Sequence, residues 1–569
     1  MRKRTRSILT LAVLAVTLLA SVAAGMMTPW RQSCLNGLKT ESAPPDGLLT
    51  LPRDGYEAAM DTLLPYVDVL RLEVESTGKA TLSVMAGSSA TELAVEPGRH
   101  VYETAVGEAW ADLALCLDEG GEVTLLALEA DNSSGPHWPL MAVCAVASLL
   151  LACLIWRFTE GKVQLHRVAF AILLAGGTII ALLKPLNAYF SWDEQIHWEY
   201  SCQLAGDVNG LAAFLADFTT WYAGYWPNAL GIALGRLLGL STGGVWLMGC
   251  LSGVTVYALF GAMAVKIAPK YKLVFLLAAA MPTSLFLAAG YSYDPMVIAG
   301  VLLGVAMVLR ELSEPERPLA VGHSLALALT LCLGTLAKPA YSLLLLLLWM
   351  LPASKLGSRG RLWAFRLMVL LVLAASLAGM LLPGSYDSVR WGDSRFEGTD
   401  SSAQLAWMLG NPLQFLQVLG GYLKTNGLRL YLTATASFAN LGSVPWMGWP
   451  LLAGLLLASA YAGGECASSL LPGRRRVALA VLGALPVLAL IVTQYVVSTA
   501  VGAGTIAGMQ PRYTLPVLVL AALSLALPER LRGRLRPASR YVGLAGTLWA
   551  AFSVGAAVYS LLLVPLYGM

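Results

Sequence analysis

The chain has 569 residues, of which 57% are hydrophobic and only 13% charged, against about one quarter charged in an average soluble protein. That balance excludes an ordinary soluble enzyme and points to a polytopic membrane protein. The formal net charge of +4 gives no case for nucleic acid as a partner, and where the basic residues stand says more than their sum.

The chain begins with Arg2-Lys3-Arg4-Thr5-Arg6 and then runs apolar from Ile8 to about Met27. Roughly twenty apolar residues suffice to span a bilayer, more than the h-region of a cleaved signal peptide needs. An uncleaved signal anchor over 1–27 is therefore expected, with the following chain outside. Residues 28–137 change character: they are polar and alternate in runs such as 69–76, 80–84 and 122–129, with Gly, Asp and Ser between. Alternation broken by turn residues predicts an extracytoplasmic β-sandwich-like insert after the first helix. Its cysteines, Cys34 and Cys116, share an oxidising compartment, and whether they pair depends on a Cα approach that sequence leaves open. Six further cysteines, Cys144, Cys153, Cys202, Cys250, Cys332 and Cys466, have no metal-ligand spacing and read as small core residues. The triplet Asn132-Ser-Ser134 matches a glycosylation sequon by pattern only, and no phosphate-cradling Gly loop occurs.

From Trp138 onward, in a polytopic domain over 138–569, apolar runs mark spans near 138–156, 168–183, 243–266, 272–289, 295–310, 320–337, 340–353, 367–382, 447–463, 477–493, 513–528 and 541–564. With the first helix these make about thirteen transmembrane helices. Basic clusters fall on alternate connections: 157–167, 266–272, 310–317, 355–366, 474–476 and 530–540. By the positive-inside rule these are cytoplasmic. The same assignment places the outer loops 184–242 and 383–446, the Tyr291-Ser-Tyr-Asp-Pro295 turn, Lys338 and Gln510-Pro-Arg-Tyr513 on the opposite, outer side. Segments 198–218 and 226–240 mix aromatics and charges with apolar residues, as helices lying on the membrane surface do. The outer loop 383–446 contains Tyr386, Asp387, Arg390, Trp391, Asp393 and Arg395, which read either as acceptor contacts or as a surface loop with internal ion pairs.

Adjacent carboxylates, Asp193 and Glu194, stand where the apolar sequence gives way to the first outer loop. Charged groups are expensive at membrane depth, so an acidic pair there is more readily explained by a solvated, functional cavity than by packing. Together with Trp192-Asp-Glu-Gln-Ile-His197, the segments Met281-Pro-Thr-Ser284, Gly290-Tyr-Ser-Tyr-Asp-Pro295, Ala337-Lys-Pro-Ala-Tyr341 and Gln510-Pro-Arg-Tyr-Thr-Leu-Pro516 resemble a bacterial family of predicted membrane proteins with a domain of unknown function. That family is related to the polytopic glycosyltransferases of the GT-C superfamily. The resemblance runs from about Val168 to the end and leaves out the β-rich insert. It implies a mostly α GT-C-like core, sugar donors carried on polyprenyl phosphate, an acidic residue in the first large outer loop, matched here by Asp193 or Glu194, and a second acid at the next outer turn, matched by Asp294.

The residues fit such chemistry on their own terms. An acceptor hydroxyl attacks an anomeric carbon poorly unless a base takes its proton as the bond forms, and a carboxylate can be that base. Alternatively Asp193 and Glu194, with His197 one helical turn further, could hold a divalent cation that neutralises the leaving phosphate; the spacing does not choose. Arg512 can bind phosphate bidentately and Lys338 as a point charge. Tyr513 lies beside Arg512 as a further substrate-binding candidate. Both cations stand on the face where basic residues are scarce, although snorkelling to headgroups is their ordinary alternative. Asp294 can also cap the helix that starts at Pro295.

The expected function is an extracytoplasmic glycosyltransferase of the cell (cytoplasmic) membrane. Its partners would be a lipid-linked sugar donor, membrane lipid and an envelope glycan, lipid or protein acceptor. The alternatives are a transporter or flippase of lipid-linked saccharides, for which no internal repeat is found, and a non-catalytic envelope-assembly protein whose β-rich insert binds glycan.

Overall fold

A computed structural model of the chain describes residues 3–27, 31–33, 49–51, 56–58, 67–131 apart from 87–88 and 109–112, 164–183, 191–206, 224–379 apart from 336, 396–461 apart from 440–442, 470–526, and scattered positions in 141–156 and 546–555. A helix, α1 (Lys3–Met27), comes first. Among the described residues nine strands follow: β1 (Arg31–Ser33), β2 (Leu49–Thr50), β3 (Tyr56–Ala58), β4 (Val67–Ser76), β5 (Ala80–Ala86), β6 (Ser89–Val95), β7 (Gly98–Glu108), β8 (Leu113–Gly120) and β9 (Val123–Asp131). They form two antiparallel sheets, one ordered β1-β9-β4-β7 with β2 also on β9, the other β3-β8-β5-β6.

The alternation read from the sequence becomes a one-sided apolar face on each sheet. Leu70, Leu72 and Val74 of β4 are buried, as are Leu82 and Val84 of β5 and Leu115 and Leu117 of β8, because successive side chains on a strand point to opposite faces. The β8–β9 corner requires glycine. Gly120 has φ +113°, and a Cβ there would strike the backbone of Lys79 and Ala80. Of the two cysteines expected to share this compartment, Cys116 lies opposite Ser83 in the β5–β8 ladder, while Cys34 lies outside the described residues.

The remaining described residues are mostly helical. In order come α2 (Leu165–Leu183), α3 (Glu194–Gly206), α4 (Trp226–Leu237), α5 (Thr242–Ile267), α6 (Lys272–Ala279), α7 (Pro282–Ala288), α8 (Asp294–Ser313), α9 (Val321–Thr335), two 3₁₀ helices (Pro339–Met350 and Ala353–Leu356), α10 (Arg359–Gly379), α11 (Ser401–Gly410), α12 (Pro412–Thr435), α13 (Pro445–Tyr461), α14 (Gly473–Val497), a further 3₁₀ helix (Pro511–Val517) and α15 (Leu518–Ser524). Among the described residues five helices are long and apolar enough to cross a bilayer: Leu165–Leu182, Thr242–Ile267, Asp294–Ser313, Arg359–Ala378 and Gly473–Val497. Shorter apolar helices cover Thr10–Ala23, Gly322–Cys332, Pro339–Met350 and Trp446–Ala460.

This is coarser than the thirteen uniform spans expected, and the differences have local causes. The run 272–289 is two short helices, because Pro282 supplies no N–H to continue α6 and instead opens α7. The run 513–528 likewise starts as a 3₁₀ turn containing Pro511 and Pro516 before α15. The expected spans 138–156 and 541–564 fall largely outside the described residues.

The segment 383–446, expected as an outer loop, contains α11 and α12, and the Asp400 side chain caps α11 by accepting from the Ala403 amide at 2.9 Å. Its six named polar residues, Tyr386 to Arg395, lie outside the described residues. The 12 residues of α4 reach about 18 Å, short of the ~30 Å hydrocarbon core.

At the centre α5 packs against α2, α4 and α8, and α8 against α9. The α8–α9 contact is close enough for backbones to touch: a Cβ on Gly300 would lie 2.6 Å from the Cα of Gly334, the small-residue contact by which helices associate in lipid. The 20 residues of α8 extend about 30 Å, so Asp294 at its start and Glu311 near its end are held at opposite ends of the bundle. Glu311 pairs there with the buried Lys355 at 2.7 Å.

Candidate functional site

Four elements deliver polar side chains to the Asp294 end of the bundle. Asp193 immediately precedes α3, Asp294 begins α8, Lys338 immediately precedes the 3₁₀ helix Pro339–Met350, and Arg512 is the second residue of the 3₁₀ helix Pro511–Val517. Proline follows Asp294 and Lys338 and precedes Arg512. At all three corners it fixes φ in a helix's first turn, which also disfavours helical backbone at the preceding residue. Lys338 accordingly stays extended, with φ −143° and ψ 101°.

Arg512 is the hub. Its side chain is 2% exposed; Nε lies 3.2 Å from Oδ2 of Asp294 and Nη2 lies 3.9 Å from Oδ2 of Asp193. The guanidinium carbon stands 4.5 Å from the ring centre of Trp192 and 5.6 Å from that of Tyr513. Lys338 Nζ sits over the Tyr513 ring at 3.2 Å and 5.7 Å from that of Tyr293, the geometry of a cation–π contact. That ammonium is buried without a hydrogen-bond acceptor among the described residues. Tyr513 is held by its own carbonyl, which accepts from the Tyr341 hydroxyl at 2.7 Å.

The two carboxylates of the acidic pair do different things. Glu194 is 1% exposed; Oε2 accepts from the Ser191 amide and Oε1 from the Tyr291 amide, both at 3.0 Å. It ties the entrance of α3 to the turn that carries Asp294. Asp193, by contrast, has a side chain 38% exposed and a backbone in the left-handed region, φ 52°, which Asp tolerates better than most residues. One carboxylate braces the corner and the other reaches the open side of the cluster.

His197 is 5% exposed. Its Nδ1 lies 2.6 Å from the Tyr225 hydroxyl, and its ring meets Tyr293 edge-on at 5.2 Å. Burial lowers its pKa from 6.5 to about 4, against the opposing pull of Asp294, so the imidazole is neutral at pH 7. The metal-ligand set Asp193, Glu194 and His197 does not assemble: both oxygens of Glu194 are bound to backbone amides, and Nδ1 of His197 is bound to a tyrosine. Among the described residues no three His, Cys, Asp or Glu side chains stand where they could hold an ion.

Of the residues singled out from sequence, Asp193, Asp294, Lys338, Arg512 and Tyr513 come together, with Glu194 and His197 behind them. Sequence reasoning missed Trp192, Tyr225 and Tyr293 as parts of the site. Trp192 and Tyr293 lay within the quoted motifs but passed as flanking aromatics. Tyr225 had no signal, since its partner His197 is 28 residues away and no periodicity joins them. Asn228 on α4 was missed too; its Nδ2 donates to the carbonyls of Gly249 and Gly290 at 3.2 Å each, pinning α4 to the same corner.

The family model described as "Predicted membrane protein (DUF2142)" matches residues 215–521, a little over half of the chain. No curated protein matches it. A solved structure similar in part is the cryo-EM structure of the arabinosyltransferase EmbB from Mycobacterium smegmatis, at 12% identity and a TM-score of 0.28. The alignment covers 98% of this chain and 63% of that one.

Proposed function

We propose that this chain, which belongs to the DUF2142 family of predicted membrane proteins, is a membrane glycosyltransferase. It moves a sugar from a polyprenyl-phosphate donor to a hydroxyl of a cell-envelope acceptor, on the extracytoplasmic face of the cell membrane. The observation that carries the reading is the convergence of Asp193, Asp294, Lys338 and Arg512 at one end of the bundle, with the Lys338 ammonium buried and lacking an acceptor among the described residues.

Asp193 is the base. It takes the acceptor proton as the new bond to the anomeric carbon forms and the bond from that carbon to the phosphate oxygen breaks. The departing phosphate gains a negative charge, which Lys338 and Arg512 receive. Fixed cations in a water-poor site stabilise that charge more in the transition state than in the ground state. Asp294 aims the guanidinium, and Trp192 and Tyr513 hold its plane. Glu194 keeps the acidic corner in place and does not touch substrate.

The test uses purified protein in lipid nanodiscs with a panel of polyprenyl-phosphate sugars, following release of polyprenyl phosphate. Release that is lost in Asp193→Asn supports the reading. Release unchanged in Asp193→Asn, or lipid-linked sugar crossing the bilayer of sealed proteoliposomes without cleavage, overturns it in favour of another base or of transport.

A further inference from the structure

The two carboxylates nearest the open side of the cluster share one counter-ion, and it is a side chain. Nε of Arg512 lies 3.2 Å from Asp294 and Nη2 lies 3.9 Å from Asp193. A divalent cation serving both acids would need that same position, with oxygens at about 2.0–2.6 Å. The guanidinium is not readily displaced from it. Trp192 and Tyr513 lie against it, the side chain is 2% exposed, and a guanidinium cannot be deprotonated to make room. The remaining ligand types nearby, Glu194 and His197, are engaged by backbone amides and by Tyr225.

We infer that Arg512 is a built-in cation that takes the place of a divalent metal at this site. It neutralises Asp193 and Asp294 in the resting protein and, with Lys338, carries the charge of the phosphate when donor binds. The charge count agrees. Asp193 and Asp294 balance Arg512 and Lys338, with Glu194 turned to backbone amides behind them, so the charge of a phosphodiester falls to Lys338, which has no acceptor among the described residues. The second half of this statement rests on the glycosyltransferase reading. The first half does not, and its test needs no substrate.

The experiment is a Mn²⁺ titration of the purified protein in phosphate-free detergent buffer, read by electron paramagnetic resonance, with Asp193→Asn/Asp294→Asn as the background for surface carboxylates. The wild type is expected to bind no Mn²⁺ beyond that background at concentrations up to about 1 mM, the weak end of oxygen-ligated protein sites. Arg512→Gln exposes the two acids to one another and is expected to gain one equivalent, lost again when Asp294→Asn is added. Arg512→Lys keeps a cation and stays silent. A stoichiometric Mn²⁺ site in the wild type that Asp193→Asn or Asp294→Asn removes overturns the proposal, and so does a monodisperse Arg512→Gln protein that gains nothing. The wild-type comparison decides the matter even where the Gln variant does not fold. Absence of sugar transfer in a Mn²⁺-silent wild type would count against the glycosyltransferase reading and leave this one standing.

Discussion

Glu194 and Asp193 are neighbours in sequence, yet substituting them should produce opposite phenotypes. The Glu194 carboxylate is buried and accepts two backbone N–H groups at 3.0 Å. Hydrogen bonds to a charged group contribute about 1.5–3 kcal/mol each. Glu194→Gln keeps one acceptor oxygen but turns an NH₂ toward the other amide. One backbone donor is left unsatisfied and the remaining bond loses its charge, a cost of about 3 kcal/mol in total. Asp193→Asn keeps the shape, and Asn also accepts a left-handed backbone. The ion pair with Arg512 that it loses is long, at 3.9 Å, and partly exposed, worth about 0–1 kcal/mol. The variant should nevertheless lose about 10²–10⁴-fold in turnover, the usual contribution of a general base. The assay pairs two readings on each variant: the temperature at which half the protein leaves the monodisperse gel-filtration peak, and the rate of polyprenyl-phosphate release. Glu194→Gln should melt early and keep turnover at low temperature, whereas Asp193→Asn should melt like wild type and turn over slowly. A thermally normal Glu194→Gln protein without turnover would refute the division of labour and make Glu194 the base.

Lys338→Met removes the charge at similar length and should weaken binding of polyprenyl phosphate by about 10²–10³-fold, the cost of losing one preorganised donor, with Lys338→Arg recovering part of it; unchanged binding in the Met variant, measured by tryptophan quenching, would move the phosphate elsewhere. His197 has its pKa lowered to about 4 by burial, so between pH 6.5 and 4 the unfolded chain binds a proton that the folded one does not. Stability should therefore be full above pH 6.5 and fall by about 3 kcal/mol as pH drops to 4, at about 1.4 kcal/mol per unit. His197→Phe should flatten that part of a denaturation-against-pH curve, and a wild-type curve level across this window would count against the reading. A cysteine placed at 193, whose native side chain is 38% exposed, in a cysteine-free background should react with an impermeant maleimide in intact cells, and protection there that is lifted by lysis would undo the outer-face assignment. Arg512→Lys should keep part of the turnover and Arg512→Ala should lose far more, by a few kcal/mol in the barrier; equal rates in the Ala variant would reduce Arg512 to a packing residue.

The membrane class and the residue types of the site were legible in the chain itself. Low charge and long apolar runs leave a polypeptide no soluble option, because backbone polar groups in lipid must be satisfied within helices or closed barrels. The unusual polar residues stood out against that background: Asp193, Asp294, Lys338 and Arg512 were each conspicuous because an ionised group near a bilayer needs a reason. Alternation in the β-rich segment carried over directly to buried Leu70, Leu72 and Val74, since period two depends only on the strand.

Which partners these residues have is a tertiary matter. Arg512 meets Asp193 across 319 positions of chain, and no local pattern encodes that approach. The difference between Asp193 and Glu194 is likewise invisible in a dipeptide. It is settled by the Tyr291 amide, 97 residues away, which binds one carboxylate and leaves the other at the open side. Helix continuity was overread for the same reason. An apolar run signals burial, whereas Pro282, Pro511 and Pro516 decide where the backbone can keep its hydrogen bonds, and the neighbouring helices decide whether the break is tolerated.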